Sequence, residues 1–202
     1  MKNAVFICLF AALAAGCASL VTPDVKSEPA ALRAGQYELD PAHAAVLFKV
    51  DHLGFSKYVG RFETVEASLD FDSARPEAAK LTAIVAIESL DVANPSFAET
   101  LKGDEWFGAE TFPQAVFESR SIEITGENTG RVTGDFTLKG VTRPMTLDVA
   151  FNGGARNLIT RRYTLGFSAV GTFKRSDHGL DNLIPAIGDD VELEIHAEFL
   201  RQ

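Results

Sequence analysis

Four histidines, His43, His52, His178 and His196, are the side chains best suited to acid–base or metal chemistry near neutral pH. His196 stands between Glu194 and Glu198 in an alternating run, where one parity collects His and Glu. Such a set can hold a divalent ion, but a solvated polar face is the favoured reading. His43 closes Asp40-Pro41-Ala42-His43, a stretch suited to tying strand ends together by hydrogen bonds. His52 shares the parity of Phe48 and Val50 and so points inward, as a satisfied core group or as a polar contact at one end of an apolar cavity. Arg175-Ser176-Asp177-His178-Gly179 contains the residue types of a hydrolase triad, yet neighbours on extended chain point to opposite sides and cannot converge. Gly166-Phe167-Ser168-Ala169-Val170 lacks the final glycine of a nucleophile elbow. With no phosphate loop, dinucleotide fingerprint or H-E-x-x-H, neither an enzyme nor a metal site is expected.

The chain of 202 residues opens with Lys2 and an uncharged apolar run from Ala4 to Ala15, too short to span a bilayer but suited to a secretory signal. The run ends Leu13-Ala14-Ala15-Gly16-Cys17, which resembles the lipobox of bacterial lipoproteins. Residues 1–16 are therefore expected as a leader and Cys17 as the lipidated mature N-terminus, on the periplasmic side of a membrane, the outer one favoured by Ala18. Cys8 lies in the leader, so no disulfide and no multi-cysteine metal site is available. A net charge of −9 argues against nucleic acid and against anionic headgroups, leaving acyl chains as the anticipated membrane anchor. Residues 17–35, with two prolines and no period, are expected as a flexible tether before a domain at 36–202.

The elements that must position these groups are alternating strands. Leu81-Ala83-Val85-Ile87, Val132-Gly134-Phe136-Leu138, Met145-Leu147-Val149-Phe151 and Val191-Leu193-Ile195-Ala197-Phe199 each occupy one parity. About eight strands are predicted, near 43–52, 60–72, 80–89, 114–124, 130–139, 143–152, 162–174 and 190–200. No long helix separates them, so they pair antiparallel. Only Asn94 to Pro113 interrupts, with a cap-like Asn-Pro-Ser start and Phe97 and Leu101 one helical turn apart. Strands this long favour a closed barrel over a sandwich.

Composition adds one more signal: 15 Phe against 3 Tyr and 1 Trp. Phe48, Phe62, Phe117, Phe136, Phe151, Phe167 and Phe173 sit on the apolar parity, and aromatics without polar handles imply a dry interior. A packed core and an apolar tube produce the same pattern.

Several segments, in order, resemble the YceI-like family of periplasmic polyisoprenoid-binding proteins with a lipocalin-like barrel. They are Asp40 to His43, Phe48 to Ser56, Gly60-Arg61-Phe62, Leu138 to Pro144 and Arg175 to Gly179. His178 stands where the family usually has Phe, and Ala44 where it usually has Ser. The resemblance spans about Tyr37 to Leu200. It implies an all-β, eight-stranded antiparallel barrel with an elongated apolar interior and a short helical lid. It further implies a non-enzymatic carrier of a long isoprenoid lipid, such as a polyprenyl quinone or polyprenyl phosphate. No cofactor is implied beyond that lipid, and a membrane quinone-using protein is a conceivable partner. On this basis the ligand would meet Phe48, Val50, His52, Phe55, Val85, Trp106, Phe107, Phe117, Phe136, Leu147, Phe167, Phe173 and His178. The opening would lie at the Gly54–Tyr58 corner, bordered by His52 and Phe55. Asn94–Pro113 with Trp106 and Phe107 would form a partial lid there. The oligomeric state is left open.

Overall fold

Alternation becomes ten strands in residues 22–202, the part of the chain described by the computed structural model. The leader and Cys17 lie outside the described residues. The strands are β1 (Gly35–His52), β2 (Ser56–Phe62), β3 (Val65–Phe71), β4 (Lys80–Ala86) and β5 (Leu90–Asp91). After the helix α1 (Pro95–Lys102) come β6 (Gln114–Ile124), β7 (Thr129–Leu138), β8 (Val141–Arg156), β9 (Tyr163–Lys174) and β10 (Ile187–Arg201). Neighbours pair antiparallel in the order β10-β9-β8-β7-β6-β4-β3-β1-β2-β5, and β10 also pairs with β1. That last pairing closes the sheet and removes its exposed edges.

The predicted strand at 60–72 is two strands on the same edge of β1. β2 pairs with Val46–His52, and β3 with Gly35–Glu38. The break at Glu63-Thr64 is held by the turn after β4. The Glu63 amide donates to the Ser89 carbonyl and the Thr64 amide to the Ser89 hydroxyl, while the Ala86 amide donates to the Thr64 carbonyl. With β2 and β3 as one kinked stave, the barrel has the eight staves expected. The predicted strand at 80–89 likewise ends at Ala86, where a 3-10 turn (Ile87–Ser89) leads into β5.

β1 begins at Gly35 rather than 43. Asp40-Pro41-Ala42-His43 is a bulge within it, marked by the register shift against β10 between Leu39 and Ala44. Ahead of it, residues 22–34 are not a free tether. Lys26 bridges to Gly154 of β8, Leu32 is buried with Tyr37, Phe71 and Tyr163, and the Tyr37 hydroxyl donates to the Arg33 carbonyl. An aliphatic residue with a groove to fill outweighs the entropy of a proline-containing segment.

The two ends of the barrel differ. At the His52 end, residues 87–113 lie across the bore. Pro95 opens α1, and the Asn94 side chain caps it by accepting the Phe97 amide at 3.2 Å. This segment is fastened by Lys139, whose ammonium donates to the carbonyls of Asp104 and Trp106, and by Asn182, whose amide donates to the Glu105 carbonyl. Lys139 and Gly140 form a two-residue hairpin turn, both with positive φ, between paired Leu138 and Val141. A Cβ on Gly140 would stand 2.7 Å from the Phe112 ring, so only glycine fits beneath the cap. The Gly35 end carries the β3–β4, β6–β7 and β8–β9 loops and the N-terminal segment.

Candidate functional site

Inward parity does not fill the barrel. The buried apolar residues fall into four separate clusters, and between them runs a cavity of about 550 Å³. That volume is in the ordinary range of small-molecule sites. The alternate residues Val191, Leu193, Ile195, Ala197 and Phe199 of β10 all face it, as the sequence period requires. The free space comes from small side chains on the same parity. Ala67, Ala83, Ala169 and Ala197 line the bore, where larger residues would meet across it.

Phe48, Val50, His52, Val85, Trp106, Phe107, Phe117, Phe136, Leu147, Phe167 and Phe173 all line this one cavity. Two expected residues do not. Phe55 is 87% exposed at the tip of the three-residue turn after β1, where Leu53 and Gly54 both take positive φ and carry it beyond the rim. His178 is 1% exposed and packs edge-to-face on Phe136 and Phe173, with ring centroids 5.2 and 5.6 Å away. The 3-10 turn Arg175–His178 folds it back from the bore. Its Nδ1–H donates to the Val141 carbonyl at 2.9 Å, so the two family-like segments 138–144 and 175–179 meet there. Burial pushes the His178 imidazole below its usual value, and that bond opposes the shift only in part.

The opening also differs from expectation. At the His52 end the lining residues His52, Tyr58, Leu101, Trp106 and Leu180 are buried or half-buried, with Leu183 the exposed exception. At the Gly35 end the lining residues Pro29, Gly126, Glu127 and Thr129 are solvent-exposed. Four apolar side chains of the 87–113 segment, Phe97, Leu101, Trp106 and Phe107, plug the end expected to be open.

Arg175 is a buried, charged lining residue that sequence reasoning missed, although it continues the parity of Phe167, Ala169 and Phe173. It is buried and surrounded by carbonyls. Nε donates to Gly188, one terminal nitrogen to Leu180, and the other to Asn182 and Ile187. Loss of water lowers its pKa, and the charges of Asp189 and Asp181 restore part of it. Beside it, burial alone would raise Asp189. The Ser176 amide and hydroxyl, Lys174 and Arg175 hold its carboxyl below the usual range. This cluster fixes the 180–188 loop to the wall.

Two histidine–carboxylate pairs are found among the described residues, both on exposed histidines. His196 bonds Glu194 at 3.1 Å and contacts the Ser168 hydroxyl, the solvated face expected. His43 bonds Asp40 at 2.9 Å, and the other Asp40 oxygen accepts the Ala42 amide. The bond to Asp40 and the nearby Glu198 raise His43, while the bond to His43 chiefly lowers Asp40. These groups fasten a bulge inside β1 rather than the strand ends the sequence suggested, and Glu198 completes a set of donors within 4.8 Å of one another.

Comparison with known proteins agrees with this architecture. The profile of the YceI-like domain matches residues 37–199. A UPF0312 protein of Ectopseudomonas mendocina is 32% identical over 171 residues, covering 84% of this chain and 89% of its own. In crystal structures, Burkholderia cenocepacia BcnA superposes with a TM-score of 0.72 at 25% identity, over 79% of this chain and 98% of that one. A polyisoprenoid binding domain from Saccharophagus degradans shares the fold, with a TM-score of 0.59 at 15% identity, covering 84% and 100%. From the match over nearly all of the barrel, the chain belongs to the YceI-like family.

Proposed function

We propose that the barrel binds a long apolar isoprenoid lipid, a polyprenyl quinone or polyprenyl phosphate, and carries or sequesters it in the cell envelope. The observation that carries this is the bore itself, walled by phenylalanines and aliphatics and kept open by inward alanines. An apolar tube of this size gains by exchanging water for hydrocarbon, at roughly 25 cal/mol per Å² of surface covered. The exposed lining residues at the Gly35 end give a flexible chain a way in. The name of the S. degradans domain is consistent with such a ligand. On the same reading, Cys17 is acylated and holds the protein at the periplasmic side of a membrane, the outer one favoured, where a lipid cargo and any quinone-using partner would be met.

The test is mass spectrometry of an organic extract from residues 22–202 purified without detergent. A stoichiometric polyprenyl species is expected, and a folded protein with a clean extract would overturn the proposal. Filling the bore sharpens the test. Ala83→Phe with Ala169→Phe places two rings where the ligand would lie. The variant should stay folded, because its new volume goes into void, and should lose most of the lipid.

A further inference from the structure

Positive charge is unevenly distributed on this acidic chain. Along the outer wall many cations are paired, Lys49 with Glu194, Lys57 with Glu192, Arg61 with Asp91, Arg131 with Asp148 and Lys174 with Asp190, while Lys139 and Arg143 at the His52 end bond carbonyls. At the Gly35 end, Arg33, Arg156, Arg161, Arg162 and Arg201 make no ion pair among the described residues. They are held by other contacts. Arg33 lies 5.0 Å over the Tyr163 ring, and Nε of Arg156 donates to the Arg161 carbonyl. Arg162 donates to the Arg201 carbonyl, and Arg201 to the Ala34 carbonyl. Each guanidinium has five N–H donors, so most remain unused. Asp40, the carboxylate that Arg162 helps to acidify, is already committed to His43 and the Ala42 amide.

Among these arginines the β8–β9 loop presents Leu158 and Ile159, 51% and 75% exposed. The Asn157 side chain accepts the amides of Ile159 and Thr160 and holds the loop in shape. Cations around projecting aliphatic side chains match a lipid surface, with phosphates outside and hydrocarbon beneath.

We propose that the Gly35 end docks on an anionic bilayer, with Leu158 and Ile159 entering the headgroup layer and the five arginines meeting lipid phosphates. Two observations select a membrane as the occupant. Val25 packs on Gly153 at this end and is eight residues from Cys17, a reach of at most about 28 Å, so acylation of Cys17, which rests on the function proposed above, would hold this end near a bilayer. The exposed rim of the cavity is on the same end. The net charge of −9 argued against anionic headgroups; the five arginines offset it on their own side of the rim, with Glu28, Asp70, Glu77 and Glu127 exposed elsewhere at the same end. Docking does not depend on what fills the bore, so the lipid extract and the experiment below fail separately.

Residues 22–202, the whole described fold, would be sedimented with vesicles of phosphatidylcholine, with and without phosphatidylglycerol, at low and physiological salt. Binding to the anionic vesicles that weakens with salt is expected. Arg161→Glu with Arg162→Glu should weaken it at least about tenfold, and Ile159→Asp should weaken it without changing the arginines. Lys57→Glu with Lys174→Glu makes the same charge change at the His52 end and should leave a clear excess over the arginine pair. Unchanged melting temperatures would show that each variant is folded. The proposal falls if anionic vesicles do not bind, or if the two double variants lose binding equally, since net charge would then explain it. It falls also if heparin binds as tightly as vesicles while Ile159→Asp keeps full vesicle binding, which would mark a polyanion site instead.

Discussion

His178 shows how far one side chain departs from the type of its letter. It sits between two phenylalanine rings and bonds the backbone at Val141 and Leu138, a site shaped for an aromatic and occupied by a base. Its folded pKa lies below the unfolded 6.5, so its contribution to stability is complete above pH 6.5. As pH falls through that value the unfolded chain takes up a proton that the fold refuses, and stability drops by up to about 1.4 kcal/mol per pH unit. His178→Phe should flatten this slope just below pH 6.5 in urea titrations. An identical slope in both proteins would show that the imidazole is protonated in place. From sequence its inward or outward direction was not legible, because the 3-10 turn Arg175–His178 abolishes the parity on which the inference rests. Arg175, three residues earlier where the turn begins, still obeyed that parity and was readable.

At the scale of elements, the long alternating strands were legible and the pieces between them were not. β10 ran as its period required, because every second residue has a bore to face. The break between β2 and β3 depends on hydrogen bonds to Ser89, about twenty-five residues away, which no local pattern records. The N-terminal segment was misread for a related reason. Two prolines suggest a linker, yet Leu32 finds a groove beside Tyr37 and Tyr163. Leu32→Ala should therefore lower unfolding stability by about 2–3 kcal/mol in denaturant titrations, the loss for a buried leucine. A loss under about 0.5 kcal/mol would return this segment to the status of a tether.

For the whole molecule, barrel closure followed from strand count and length, whereas the open bore did not. Inward phenylalanines imply dryness whether or not space remains. Only the cross-strand register shows that Ala67 lies opposite Ala83 on the same inner face. An empty apolar bore leaves its walls short of contacts, and a ligand that binds only the folded state adds RT ln(1 + [L]/Kd) to stability. Protein stripped of its extractable lipid and refolded should melt several degrees lower, and should regain that loss when the extract is returned. Equal melting temperatures with and without the extract would mean that the bore is not the binding site.

The cap at the His52 end has a consequence for anything stored inside. Lys139 and Asn182 hold it from outside, and Arg175 binds the adjoining loop from within, so the bore is closed here but for the edge where Leu183 meets solvent, and the barrel resembles a vial with its neck at the Gly35 end. A vial imposes order on its contents. On the function proposed above, a lipid with a polar head would enter tail first and leave its head at the neck, on the side where the N-terminal segment begins. An enzyme acting on that head would find it presented without the tail leaving its container.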